Sequence, residues 1–356
     1  MATLVQFCDL QMALSSQGAG AALAFAEPIR QTRATLRFCR HASRDHIVLS
    51  NGFHSSGDVI ADRRAEYARM LAEGGDALAA ADLMAQALDL VPNWAAGWDL
   101  RGAYCEKAGD ISGAISAWRH LEALDDDGVF GAPLKLAAHG AGRAGSGTAV
   151  GYVEALFDQY APKFEHALVE TLGYQVPDLL DGLIDRAMAA LQIARFDRAL
   201  DLGCGTGLMG ERLRGKVAVL EGIDLSAAMV AETAKKGIYD HLAKAELVEF
   251  LGQVSQQSDL VTAADVFIYC GALPPVLDAV VPAMAPGGLL AFSLEAHEGE
   301  EPVFLRASLR YAHGVPATRQ ALTDAGLEIV TFDLATLRQD RGAGITGMLV
   351  LARKPG

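Results

Sequence analysis

The run Arg198-Ala199-Leu200-Asp201-Leu202-Gly203-Cys204-Gly205-Thr206-Gly207 drives an apolar stretch straight into a turn with glycine at alternate positions. Glycines so spaced suit a chain that reverses through positive φ, and they leave no Cβ between the backbone and a ligand. Leu208–Leu213, just beyond, reads as a helix, so strand, turn and helix form one unit. A strand that feeds a helix through a tight turn belongs to a sheet of parallel strands joined by crossovers. The rest of this half repeats the alternation. Strands are expected at Arg198–Leu202, Val217–Ile223, Ala264–Tyr269, Gly288–Leu294, Leu327–Leu334 and Gly347–Ala352, with a weaker one at Lys244–Val248. Helices fit at Leu208–Leu213, Ala227–Lys236, Leu273–Met284 and Ala317–Ala325. That pattern predicts an open α/β sheet covered on both faces. No helix fits between the last two strands, so they are expected to close one edge as an antiparallel hairpin.

The chain has 356 residues, enough for two domains, and 51% of them are hydrophobic against 21% charged. This is the balance of a globular protein with a core. A formal charge of −14 argues against broad nucleic-acid binding, which needs clustered cations. The five cysteines (Cys8, Cys39, Cys105, Cys204 and Cys270) have neither metal-ligand nor redox spacing, so no metal is expected and a reducing cytoplasm is the natural compartment. No apolar run approaches the roughly 20 residues that span a bilayer.

Upstream of the sheet the sequence repeats itself. Gly75-Asp76 recurs as Gly109-Asp110, 34 residues later; at the same offset Ala80 maps to Ala114, Met84 to Trp118 and Ala68 to Gly102. This spacing resembles the tetratricopeptide repeat (TPR), a helix hairpin whose small residues let two helices approach. Helices are expected near 61–73, 77–90, 94–108 and 111–124. Before them, Arg30, Arg33, Arg37, Arg40 and Arg44 recur at helical spacing in a segment without lysine. A targeting presequence, a disordered tail and a start codon placed too far upstream all fit it. After the repeats, His139–Gly147 is rich in Gly and reads as a linker. The expected division is therefore an extension at 1–60, TPR-like repeats at 61–126, a linker at 127–151 and an α/β domain at 152–356.

Two carboxylates narrow the ligand of the glycine turn. Asp201 precedes the turn and would repel a phosphate, whereas an ammonium would be welcome there. Asp224 ends the next strand, 21 residues after Gly203, where it can accept from ribose hydroxyls; a helix N-cap is its other possible role, although Ser226 suits that better. The third glycine of a dinucleotide fingerprint would fall at Leu208 and is missing, which disfavours NAD.

Taken together, Asp201–Gly207, Gly222-Ile223-Asp224-Leu225-Ser226 with Met229, Ser258-Asp259-Leu260-Val261 and Ala285-Pro286-Gly287-Gly288 resemble class I methyltransferases dependent on S-adenosylmethionine (SAM). Within that superfamily the chain is similar to bacterial members with an N-terminal TPR segment. The likeness covers residues 152–356. It implies a Rossmann-like α/β sheet of seven strands with an antiparallel terminal hairpin, preceded by an all-α TPR-like domain. It also implies SAM as cofactor. Carried over, Asp201, Gly203, Cys204 and Gly205 hold the methionine end and Asp224 holds the ribose. Leu225 and Met229 flank the adenine, and Glu246 and Leu247 meet its edge; the family's usual residue at 246 is Asp. Tyr160 and Phe164 form a lid, and Tyr269 with Gly271 faces the methyl group. Relatives often read Gly-Asp-Leu where this chain reads Gly271-Ala272-Leu273, which puts an acidic role there in doubt.

Methyl transfer needs a base only when the nucleophile must lose a proton. His297, His313 and Tyr311 are the catalytic candidates, with Glu295, Arg306 and Arg310 nearby; the two arginines, spaced i, i+4, suit either an acidic substrate or a solvated face. Leu273-Pro274-Pro275-Val276 lacks the polar and aromatic members of the Asn/Asp-Pro-Pro-Tyr/Phe element of amide and exocyclic-amine methyltransferases, so those acceptors are not expected. The expected function is methyl transfer to a small-molecule or protein acceptor, with a protein partner on the repeats and no nucleic-acid or membrane partner. A non-catalytic adaptor with a degenerate sheet domain is the rival reading, supported only by Ala272.

Overall fold

A computed structural model describes residues 55–142, 150–161, 164–165, 173–340 and 343–356. The Arg-rich segment and the Gly-Ser run of the expected linker lie outside the described residues. The chain divides into two compact units, with the division between Ala114 and Ile115.

The first unit holds α1 (Val59–Glu73), α2 (Ala77–Leu88) and α3 (Ala95–Ala108); α4 (Ile111–Glu122) straddles the division. All four stand close to their expected spans. The pairs α1/α2 and α2/α3 pack on each other. They approach closely because their facing stripes are small: Ala61, Ala65, Ala68 and Ala72 on α1, and Ala77, Ala80 and Ala81 on α2, are buried. The repeated Gly-Asp pair has a local cause. Gly75 and Gly109 take positive φ (93° and 82°) to end one helix. The following aspartate then caps the next, Asp76 accepting from Ala79 N and Asp110 from Gly113 N.

In the second unit, β1 (Phe196–Leu202), β2 (Val217–Asp224), β3 (His241–Lys244), β4 (Ser258–Ala263), β5 (Met284–His297), β6 (Val303–Leu305), β7 (Tyr311–Gly314), β8 (Glu328–Asp340) and β9 (Ala343–Arg353) form one sheet. Strands β3-β2-β1-β4-β5 run parallel, and β9 pairs antiparallel with both β5 and β8. The expected terminal hairpin is therefore present. One face of the sheet packs through Leu200, Leu290 and Phe292 against α11 (Leu273–Ala283) and α12 (Val315–Asp324). The other face packs through Ala199, Leu260 and Leu289 against α7 (Val176–Leu191) and α8 (Leu208–Leu213).

Four expectations need correction. The fourth strand is Ser258–Ala263 and not Ala264–Tyr269, because Asp265 takes φ +57° and ends the extended chain. Val266–Tyr269, which reads as β-forming, instead folds into a tight turn that buries Phe267 and Ile268. The weak third strand lies at His241–Lys244, since Glu246 caps a short helix, α10 (Leu247–Leu251). Among the described residues the sheet holds nine strands where seven were expected, the additions being the hairpin β6–β7. At its tip Arg306 N donates to Arg310 O (2.9 Å), so these two arginines face each other across a turn and do not share a helix face.

The fourth correction concerns the segment 127–151, which is not linker throughout. Asp125 accepts from the amides of Val129 and Phe130, and α5 (Ala132–Ala138) follows, with Pro133 in its first turn. Its Leu134 packs with Leu305, Leu309 and Tyr311, so the apolar residues of α5 cover one face of the new hairpin.

Register fixes where that hairpin lies. Glu295 pairs with Gly347 of β9 on one side and with Ala312 of β7 on the other. Since β4 and β9 flank β5 on opposite edges, β7 occupies the β4 edge, beyond the carboxyl end of β4.

Candidate active site

Gly203, Gly205 and Gly207 all take positive φ (59°, 56° and 89°), as the alternate spacing requires. A Cβ on Gly203 would meet Val266 Cγ2 at 2.6 Å, so that glycine is also required by packing. The turn is held from three sides. Cys204 N donates to Ile223 O (2.8 Å), Thr233 of α9 (Ala227–Lys236) donates to Gly205 O (2.5 Å), and Gly205 N donates to Asp224 Oδ2 (2.8 Å). Cys204 is 5% exposed, and burial raises its thiol pKa. Thr206 places a buried hydroxyl in the same turn with no hydrogen-bond partner among the described residues.

Asp224 accepts from Gly205 N and, through its other oxygen, from Ser226 N (2.8 Å). Burial outweighs these bonds and raises its pKa to about 6. Each oxygen retains a second lone pair, so the tip of β2 can still receive two hydroxyls. Ser226 is the cap of α9, accepting from Met229 N at 3.1 Å. Met229 is buried and Leu225 half-buried.

Asp201 has an occupation that its position in the sequence does not announce. It is 1% exposed, and its oxygens accept from Thr262 Oγ1 and from Tyr239 Oη, both at 2.6 Å. Burial again raises the pKa to about 6 against these two donors. Tyr239 is a site residue that sequence reasoning missed. Three glycines make room for its ring: a Cβ on Gly207, Gly210 or Gly222 would approach ring atoms to 3.3, 2.3 and 2.7 Å. Glu246 likewise has local work, capping α10 by accepting from Glu249 N (2.8 Å), while Leu247 joins the core.

The segment α6 (Val150–Tyr160), continued by Phe164 and Glu165, lies over the turn. A Cβ on Gly205 would stand 3.8 Å from the Phe164 ring. Phe157 contacts the rings of Phe164 and Tyr269 edge-on. Polar latches hold the segment: Ser226 Oγ and Ala228 N donate to Asp158, Lys244 pairs with Glu154, and Lys236 with Glu165. Tyr160, half-buried, stands at the end of α6.

At the carboxyl ends of β4 and β5 a charged network crosses the sheet. Arg338 of β8 binds Asp265 Oδ2 (2.8 Å) and Glu295; Glu295 also binds Arg306 (2.9 Å). Arg310 donates to Tyr269 Oη (3.1 Å). Burial works against the Arg310 charge, yet Tyr269, Glu295 and Asp265 raise its pKa. The three catalytic candidates do not share one face. Tyr311 and His313 pair with Leu305 and Ala296, and His297 pairs with Gly314 on the opposite side, its ring near Phe304.

The family model described as a methyltransferase domain matches residues 200–290, which hold the glycine turn, Asp201, Asp224 and the end of β4. Over those residues the chain is similar to a methyltransferase domain. Malonyl-[acyl-carrier protein] O-methyltransferase from Enterobacter lignolyticus is 32% identical over 141 residues, which are 40% of this chain and 52% of that protein. The chain thus spans about half the length of the curated relative it matches. Among solved structures, N-methyltransferase NodS from Bradyrhizobium japonicum with S-adenosyl-L-homocysteine is 21% identical, with a TM-score of 0.38 over 48% of this chain and 87% of that one. A SAM-dependent methyltransferase from Clostridium acetobutylicum is 17% identical, with a TM-score of 0.43 over 56% and 99%. The methyl donor that a methyltransferase domain implies is SAM. The residues present fit it: alternate positions of the cradle carry no Cβ, Thr206 brings a hydroxyl without a partner among the described residues, and Asp224 offers free lone pairs at the tip of the second strand.

Proposed function

We propose that this protein is a SAM-dependent methyltransferase that acts on a small-molecule acceptor. The observation that carries the reading is the bond from Gly205 N to Asp224, which ties a positive-φ glycine turn to a carboxylate at the neighbouring strand tip. In this reading Gly203, Cys204 and Gly205 cradle the methionine end, Asp224 holds the ribose, Leu225 and Met229 flank the adenine, and Glu246 and Leu247 border it. Asp201 acts on the methionine end through charge, from beneath the turn. Tyr160 and Phe164 close over the donor, and Tyr269 faces the methyl group. The acceptor enters beyond β4 and β5, on the face of β7 that carries Tyr311 and His313, while His297 lies on the other face. Bound SAM supplies an electrophilic methyl; the protein aligns it with the nucleophile and keeps water out. The helices at 59–122 serve as TPR-like repeats that recruit a partner, and the enzyme works in the cytoplasm.

Isothermal calorimetry tests this directly. Wild-type protein is expected to bind SAM in the micromolar range, and Asp224→Ala to weaken binding by about tenfold or more, the loss expected for a charge-assisted hydrogen bond. Absence of binding to the wild type would remove the proposal.

A further inference from the structure

Two buried polar atoms on β7 have no partner among the described residues. Tyr311 and His313 stand two apart on the strand, so their side chains leave the same face. Each is 2% exposed, and neither the Tyr311 hydroxyl nor His313 Nδ1 makes a hydrogen bond. His313 Nε2 lies 2.9 Å from the carbonyl oxygen of Gly271. A carbonyl only accepts, so Nε2 carries the proton and the neutral ring presents a bare lone pair at Nδ1. Each such atom left unpaired in a dry interior costs roughly 1–3 kcal/mol. Gly271 follows the turn after β4, and β7 extends along the same edge of the sheet, so the pair stands beside the carboxyl end of β4, with Tyr311 packed against Leu134, Leu305 and Leu309.

We propose that His313 is the general base of an O-methyl transfer whose acceptor is a protic oxygen, a phenol or enol hydroxyl, oriented by Tyr311. This rests on the methyl-transfer reading above. A hydroxyl offers one proton and two lone pairs, which match a bare acceptor and a phenol donor. An ammonium would need three acceptors, and a carboxylate brings no proton for a base to take. As the acceptor oxygen bonds to the methyl carbon, the carbon–sulfur bond breaks with its electron pair on sulfur, and the hydroxyl proton passes to His313 Nδ1. The positive charge that begins on the sulfonium ends on the imidazolium.

Burial lowers the His313 pKa from 6.5, partly opposed by the Gly271 carbonyl, so the ring is neutral at physiological pH. The titratable groups around it are His297 and Glu295 of β5, Tyr311 on its own strand and Cys270 beside Gly271; Glu295 is bound to Arg306 and Arg338. From α12, Thr318 is bonded to the Gly314 carbonyl and carries no charge.

Three measurements on the full chain test the assignment. Long-range 15N–1H spectra of histidine-labelled protein are expected to show a neutral His313 at pH 7 with its proton on Nε2. An imidazolium, or a proton on Nδ1, would overturn the proposal. Methyl-labelled SAM offered with phenols and aliphatic carboxylates is expected to label alkali-stable aryl ethers; label that alkali releases as methanol marks an ester and overturns it. His313→Gln keeps an amide that can reach the Gly271 carbonyl. It is expected to bind SAM as the wild type does, to lose about 100-fold or more in kcat, and to lose the acidic limb of the kcat/KM profile. A variant with kcat within about threefold of wild type and the limb intact would show that no base acts there. Failure of the wild type to bind SAM defeats the methyl-transfer reading instead.

Discussion

Asp201 and Asp224 are carboxylates in nearly dry surroundings, and their raised pKa values make the ligand-free protein sensitive to pH. Each moves from 3.8 to about 6, chiefly through burial. A carboxyl whose folded pKa lies above its unfolded value contributes stability below the unfolded pKa, and this is lost as pH rises through the folded one. The loss runs from about pH 4 to pH 6 and amounts to about 2–3 kcal/mol per group. Asp201→Asn isolates the effect. Its amide can donate to the Tyr239 oxygen while Thr262 still donates to Oδ1, so bonding survives and the buried charge goes. The variant is expected to melt above wild type at pH 7.5, with the gap closing toward pH 4. Scanning calorimetry across that range checks it, and a gap independent of pH would mean that the carboxyl is ionised without penalty. The variant's SAM affinity then measures what the charge contributes to the methionine end.

At the scale of elements, the glycine-turn unit was legible because its constraints are local. Positive φ at alternate positions and a strand-ending acid leave a direct trace in sequence. The role of Tyr239 left none, because its three glycine neighbours are scattered over Gly207, Gly210 and Gly222 and meet only in the fold. Gly210→Ala would place its Cβ 2.3 Å from the Tyr239 ring, and overpacking of this kind typically costs about 1–3 kcal/mol. Paired with Tyr239→Leu, it is expected to cost less than the sum of the two single changes, as equilibrium unfolding of all four proteins would show. Strand β4 was misplaced for a related reason: Val266-Phe267-Ile268 has β-forming residues, but Asp265 turns left-handed where Ser293 and Arg338 hold it. Helix α6 makes a separate prediction. Its attachment runs through surface-facing Asp158, Glu154 and Glu165, which are weak contacts singly. SAM is expected to raise hydrogen-exchange protection across residues 150–160, and Asp158→Ala to reduce that gain; equal protection with and without SAM would separate this segment from donor binding.

Across the whole molecule, the alternation of strands and helices was enough to give the parallel sheet and its terminal hairpin, but not the hairpin β6–β7 inserted between β5 and α12. Strands of three and four residues carry too little pattern to register, and the i, i+4 spacing of Arg306 and Arg310 spans a tight turn. The element that covers this hairpin, α5, lay inside what composition marked as linker. The residues proposed to face the acceptor therefore come together through contacts distant in sequence. Arg338 shows the same logic on the other face. It reaches Asp265 and Glu295, 73 and 43 residues away, and binds the terminal hairpin to the ends of β4 and β5. Glu295 is 1% exposed and Arg338 is 4% exposed, so the pair cannot fall back on water. Removing one partner of a buried ion pair strands the other and costs roughly 3–5 kcal/mol. Arg338→Met is accordingly expected to lower Tm by roughly 10 °C in a unit of this size. Glu295→Gln added to it should recover part of the loss, since the stranded charge then disappears, although Arg306 gives up its partner in exchange. If Arg338→Met left Tm unchanged, the network would be decorative, and the hydrophobic contacts of β9 with β5 would hold the terminal hairpin unaided.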